Sequence, residues 1–341
     1  MKRIYYWLIL ILLVSCSDSK LPKDIISHFT QSKNITANKV VDLERYNILK
    51  PWFVYIYNDY YVFEDDKNID SVLTFLSFDL KNYSKGLRIG NGPNEVVGIF
   101  GIEVIDDTLY VKDSNHHRLL KVDYQDSLLF SEVSNSSKIS MTSRGLNKNR
   151  YINVCSFTDS SFLSLVDTND NIYSKLYFPF DENLQNENFF TKCCMYMNTQ
   201  LAISPTKDKF AWSVSYFPSF GFGRINGDSL ICDKSFEYYS AEYTNNNGRI
   251  LCNKKSRIIS NSSVGTDNYA VFLYCGNKYE DLDFNCNKLL LYTWNGDPYM
   301  ILNLDYPLIY VNYDKSRNVF YGISEGEKTL LVEYDMNGII D

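Results

Sequence analysis

Tyr269-Ala270-Val271-Phe272-Leu273-Tyr274-Cys275 is apolar at seven consecutive positions rather than at alternate ones. Successive side chains of a strand point to opposite faces, so this strand has to be buried on both. Trp52-Phe53-Val54-Tyr55-Ile56-Tyr57 makes the same demand. A parallel α/β sheet meets it by covering both faces with helices. No long amphipathic pattern after Lys39 supplies such helices. An inner strand of a propeller blade, held between neighbouring blades, meets the demand without them.

Working outward, the same kind of strand recurs as the first member of a pair. Asp59-Tyr-Tyr-Val-Phe63 leads to Leu73–Leu80, and Asp107-Thr-Leu-Tyr-Val111 to Arg118–Tyr124. Arg150–Phe157 leads to Phe162–Val166, Asp208–Val214 to Phe222–Ile225, Asn268–Tyr274 to Leu289–Trp294, and Asn318–Ile323 to Thr329–Tyr334. These six units start 43 to 60 residues apart. A period of roughly 40 to 50 residues with several strands per unit is the signature of propeller blades. The expected fold is therefore all-β, a six-bladed β-propeller over residues 39–341; a large sandwich is the competing all-β arrangement. Lys39–Leu43 is apolar and precedes the first unit, so it can complete the last blade and hide an exposed sheet edge. Aromatic content agrees: 28 Tyr and 21 Phe make up most of a 16% aromatic fraction. Such side chains favour strands and fill wide spaces between sheets.

The N-terminus has a different character. Met1-Lys2-Arg3 is positive and Ile4–Val14 is an uncharged apolar run of eleven residues. A membrane span needs about 20 apolar residues, so this run suits an export signal instead. Leu13-Val14-Ser15-Cys16 closes it and resembles the lipobox of bacterial lipoproteins. That resemblance implies a signal peptide over 1–15, cleavage before Cys16, and acylation of the Cys16 thiol and new amine. Several acyl chains hold a protein to a membrane where one is marginal. Residues 16–38 then read as a polar tether, with a short helix near Asp24–Gln31. The implied location is the cell envelope, anchored to the outer membrane, on either face.

Arg88-Ile-Gly90-Asn-Gly92-Pro93-Asn-Glu95, followed by Asp107–Asp113 and Leu119–Tyr124, resembles the TolB-like six-bladed propeller lipoproteins of gut Gram-negative bacteria. Tyr269–Gly276 is similar to a later strand of that family. The resemblance implies fold and location; it transfers no catalytic residue. Gly90 and Gly92 are expected in an inter-blade turn where they allow positive φ. Arg88 and Glu95 are candidate ligand contacts if the loop lies at the channel mouth. Pro93 removes a backbone donor, and with Glu95 it argues against a dinucleotide-binding loop.

The remaining motifs are weak. Gly322-Ile-Ser324-Glu-Gly326 matches the nucleophile-elbow pattern, but that elbow joins a strand to a helix, and two strands of a hairpin are expected here. No His follows Ser324. His28, His116 and His117 are the three histidines; adjacent His116 and His117 point to opposite faces of a strand, so a shared metal is awkward. Asp281-Leu-Asp283-Phe-Asn285-Cys-Asn287 lacks the Gly and Glu of a calcium loop, and Asp167-Thr-Asn-Asp-Asn171 reads as a turn. Besides Cys16 there are seven cysteines without Cys-x-x-Cys spacing, which gives no support to a zinc ribbon. Mostly free, buried thiols are expected, with Cys275 and Cys286 the pair an oxidising envelope would allow to join.

The formal charge is −7, and loss of Lys2 and Arg3 with the signal takes it to −9. An acidic chain without basic runs does not suit nucleic acid. The expected role is a monomeric, cofactor-free binding protein for a glycan, peptide or partner protein, attached to the membrane through Cys16. The alternatives are a propeller hydrolase or lyase with a carboxylate-bound metal in the channel, and an envelope scaffold. Absence of a His or nucleophile constellation favours binding over catalysis.

Overall fold

The computed structural model describes residues 24–65, 71–92, 95–97, 99–113, 118–124, 128–135, 143–156, 160–179, 187–239, 243–246, 249–253 and 256–340. Leu13, Val14, Ser15, Cys16, Pro93, His116 and His117 lie outside them.

Six sheets of four or five strands follow one another along the chain. Their innermost strands are Pro51–Tyr57, Ile99–Ile105, Arg144–Asn147, Thr199–Ile203, Ser260–Gly265 and Tyr310–Asp314. Each of these packs against the next in order, and the last returns to the first. Six sheets arranged radially about one axis are a six-bladed β-propeller. The pairs read from sequence are the second and third strands of each blade, for example Tyr60–Asp65 with Ser71–Ser77 and Val319–Glu325 with Thr329–Asp335.

The reason for the unbroken apolar strands is visible between the blades. Ala270, Phe272 and Tyr274 pack with Phe220 and Phe222 of blade 4, whereas Val271 and Leu273 pack with Val311 and Phe320 of blade 6. Each of the six inter-blade spaces holds its own buried apolar cluster. Tyr269–Tyr274 is thus the second strand of blade 5, an inner strand held between neighbouring blades as expected. Trp52–Tyr57 does belong to an innermost strand, and burial on both faces fails there. One of its faces meets the axis, Trp52 is exposed, and the Lys50 ammonium lies 4.8 Å from the Trp52 ring centroid.

The ring closes as expected. Lys39–Asp42 pairs antiparallel with Thr329–Asp335 as the outermost strand of blade 6, Lys39 facing Glu333. A polar cluster locks this seam: Tyr61 Oη donates to Glu333 Oε1 at 2.5 Å, and Arg317 Nη1 lies 3.0 Å from the same oxygen. Lys39 Nζ donates to Tyr61 Oη at 2.9 Å and to the Phe78 carbonyl at 3.1 Å. Blade 1, blade 6 and the closing strand therefore share one buried carboxylate.

The tether reading fails over residues 24–38. Ser32–Ile35 adds a parallel strand to the outer edge of blade 5. The 3-10 turn Ile25–His28 buries Ile25 among Phe220, Tyr238 and Tyr292, and stacks His28 against Tyr238 at 4.6 Å. An edge strand with one buried residue in four, Ile35, carries no sequence periodicity that separates it from a linker.

Cys275 and Cys286 form a disulfide, their Cα atoms 4.1 Å apart. Cys155 and Cys193 are free and buried, Cys194 and Cys252 half-buried, and Cys232 exposed, so only part of the free set is in the core.

Candidate functional site

Every innermost strand runs outward to a turn, and these turns ring one mouth of the axis. Below them lies a cavity of about 840 Å³ to which all six blades contribute. Blade 1 gives Tyr55 and Tyr57, blade 2 Glu103, blade 3 Arg144, blade 4 Ile203 and Lys207, blade 5 Ser263, and blade 6 Tyr310 and Asn312. The lining is rich in hydroxyl, amide and charged groups, unlike the inter-blade clusters.

At the wall, Glu103 is nine-tenths buried, with a hydrogen bond at one carboxylate oxygen and an ion pair at the other. Its Oε1 accepts the Gly145 N–H at 2.8 Å and its Oε2 pairs with Lys112 Nζ at 2.9 Å. Lys112 also donates to the Ser143 carbonyl at 2.6 Å. Burial pushes the Glu103 carboxyl up, but the Lys112 ammonium and Arg144 guanidinium outweigh it and hold it below its ordinary value. Burial likewise lowers the Lys112 amine, against the pull of Glu103. Arg144 is half-buried beside this pair, and Nη1 donates to the Ser143 carbonyl at 3.2 Å. Among the described residues no carboxylate forms an ion pair with it. The Tyr55 and Tyr310 rings lie 6.1 Å apart between centroids, and desolvation raises both phenols, keeping them protonated. Ser263 Oγ is buried without a hydrogen-bond partner.

Close packing of inner strands fixes this geometry. A Cβ on Gly265 would stand 2.1 Å from the Ile203 carbonyl oxygen, and one on Gly145 2.1 Å from Ile105 Cδ1. Only glycine lets the strands of neighbouring blades approach so closely.

The loop singled out from sequence lies elsewhere. Tyr83–Ile89, which holds Arg88, is the fourth strand of blade 1, and Glu95–Val96 pairs parallel outside it. Arg88, Gly90, Gly92 and Glu95 do not line the cavity. Nor are Gly90 and Gly92 in the positive-φ region. They are small because Glu95 folds back over them: Glu95 Oε2 accepts the Gly92 N–H at 2.8 Å and would be 2.1 Å from a Cβ on Gly90. The Glu95 carbonyl accepts from Arg118 Nη2 at 3.0 Å, tying the loop to blade 2.

Ser324 sits in a hairpin strand facing Leu330, with no helix following. Asp167 Oδ1 accepts the Asn169 and Asn171 N–H groups at 2.8 and 2.9 Å, an Asx turn. Asp283 Oδ1 accepts the Asn285 N–H at 3.0 Å beside the disulfide. Among the described residues no group of three or more His, Cys, Asp or Glu is placed to hold a metal ion.

Arg144, Tyr55, Glu103 and Tyr310 were not marked as site residues by sequence reasoning. The available signal was positional: a short strand is due just before each of the six units, and its alternate residues face the axis.

No family model matches the chain, and no curated protein does. Among solved structures it is similar to the Cps50 (Swd1) β-propeller domain of Myceliophteria thermophila, at 8% identity and a TM-score of 0.48 over 88% of this chain and 98% of that one. A Bacteroides fragilis protein described as exported gives 12% identity and a TM-score of 0.47 over 89% and 99%. The virginiamycin B lyase of Staphylococcus aureus gives 8% and 0.45 over 87% of each chain.

Proposed function

We propose that the protein is a lipid-anchored envelope propeller of the TolB-like type that binds an oligosaccharide in the cavity on its axis. The observation that carries the binding reading is that all six blades send polar side chains into one cavity. Tyrosines, Asn312 and Ser263 suit a ligand with many hydroxyls, because rings stack on sugar faces while hydroxyl and amide groups exchange hydrogen bonds. A peptide anchor would call for an apolar pocket. The metal-assisted hydrolase or lyase has no gathered ligand set among the described residues to favour it. The envelope location rests on Met1–Cys16 alone.

Full-length protein in detergent, screened against immobilised glycans and then titrated by calorimetry, is expected to bind a restricted set of them. Asn312→Trp, which projects a ring into the cavity, is expected to weaken that binding at least tenfold with the thermal transition retained. Unchanged binding in this variant would place the ligand elsewhere. For the anchor, cells fed a palmitate analogue are expected to label the wild type and not Cys16→Ser; a labelled, membrane-bound Cys16→Ser protein refutes it.

A further inference from the structure

We propose that Arg144, Tyr55 and Tyr310 form a seat for a single carboxylate, so that the sugar taken by the cavity is an acidic one, a uronate. This rests on the oligosaccharide reading above and specifies its ligand. Three groups from blades 1, 3 and 6 line the same cavity, and all three offer hydrogens. A guanidinium has five N–H donors in a fixed fork, of which one hydrogen bond, to the Ser143 carbonyl, is used within the protein. Tyr55 and Tyr310, their ring centroids 6.1 Å apart, each carry a hydroxyl that can donate to a ligand in this cavity.

The acceptor that could satisfy Arg144 is already committed. Glu103 holds Lys112 and the Gly145 N–H, so the cation beside it is half-buried without a short ion pair. Glu103 favours the Arg144 charge electrostatically without a direct ion pair, so an anion entering the cavity gives the guanidinium its first direct ionic partner among the described residues. Lys207 at the rim, also without an ion-pair partner among the described residues, draws an anion inward. Arg144, Lys112 and Glu103 together carry one net positive charge at this wall, while Asp106, Asp107 and Asp314 also line the cavity and oppose a dianion such as phosphate, so a singly charged group fits best. The planar guanidinium fork fits the two oxygens of a carboxylate in parallel.

The test uses full-length protein in detergent and three probes: an oligogalacturonate, its methyl ester, and a sulfated neutral oligosaccharide of the same length, each titrated by calorimetry. The acid is expected to bind at least tenfold more tightly than the ester, with affinity falling as salt rises. Arg144→Gln is expected to remove that preference, and Arg144→Lys to reduce it, since an ammonium lacks the planar fork that meets both carboxylate oxygens in parallel. Tyr310→Phe, which keeps the ring and the packing, is expected to weaken the acid more than the ester. Circular dichroism and thermal unfolding establish that each variant is folded. Equal binding of acid and ester, tighter binding of the sulfated sugar, or an acid affinity untouched in both folded Arg144→Gln and Tyr310→Phe overturns the carboxylate seat and leaves the oligosaccharide reading standing. Failure of all three probes and of every immobilised glycan overturns both.

Discussion

A chain that begins at Leu43 is expected to lose the cooperative thermal transition that a chain beginning at Asp24 shows. Residues 24–42 supply the outermost strand of blade 6 and the added parallel strand of blade 5. They also bury Ile25, Ile35 and Val41, each under 7% exposed. Fully burying an aliphatic side chain contributes about 1.5–3 kcal/mol, so the three together contribute about 5–9 kcal/mol. Domains as a rule have about 5–15 kcal/mol of net stability, so the loss is large enough to unfold the ring. It also strips Thr329–Asp335 of its partner and leaves a bare edge for aggregation. A chain beginning at Lys39, which keeps the closing strand but loses Ile25 and Ile35, is expected to fall between the two. Circular dichroism melts of the three purified chains decide the matter. A sharp transition from the Leu43 chain, within a few degrees of the Asp24 chain, would show that the seam contributes little.

Glu333→Ala is expected to destabilise the protein by about 3–5 kcal/mol, the cost of removing one partner from a buried charged pair. Glu333 is 3% exposed and accepts from Tyr61 while pairing with Arg317. Its loss leaves the Arg317 charge and the half-buried Lys39 ammonium without their shared carboxylate, though Arg317 keeps Asp314 at 2.5 Å. The Tyr61 hydroxyl, raised well above its ordinary range by burial and by Glu333 itself, stays protonated and lacks its acceptor. The exposed pair Lys328–Asp42, at 2.7 Å on the same seam, is the control. Surface ion pairs contribute about 0–1 kcal/mol, so Lys328→Ala should barely move the urea midpoint. An unchanged urea slope with a lower midpoint marks a true stability effect. Equal midpoints for the two variants would sink the view that the seam is held by its buried carboxylate.

The six-fold repeat was legible because the second and third strands of each blade touch neighbouring blades on both faces. That demand forces apolar residues into consecutive positions such as Ala270-Val271-Phe272, and a run of that kind stands out in a linear sequence. The closing strand was legible for a related reason: Val41 has to be buried at an edge that would otherwise stay open. Apart from Trp52–Tyr57, the innermost strands were not legible, because one face meets the axis and needs no apolar residue. Ser260-Asn-Ser-Ser-Val-Gly265 reads as a loop until the Ile203 backbone is placed beside Gly265. Ser32-Lys33-Asn34-Ile35 reads as tether in the sequence, since a peripheral strand that buries one residue in four has no period to detect. Gly90 and Gly92 drew notice as glycines, yet their smallness answers to the Glu95 carboxylate folded over them, which no spacing encodes.

By itself, then, the sequence determined the all-β class, the number of blades, the chain segment that closes the ring and the lipobox-like N-terminus, since each is written in residues close together along the chain. Only the tertiary structure decided where the polar cavity forms. Consecutive members of the set Tyr55, Glu103, Arg144 and Tyr310 are 41 to 166 residues apart, and only the fold places them around one cavity while pairing Glu103 with Lys112. Local pattern records what a strand must bury, whereas the grouping of charges about the axis is a property of blades brought together.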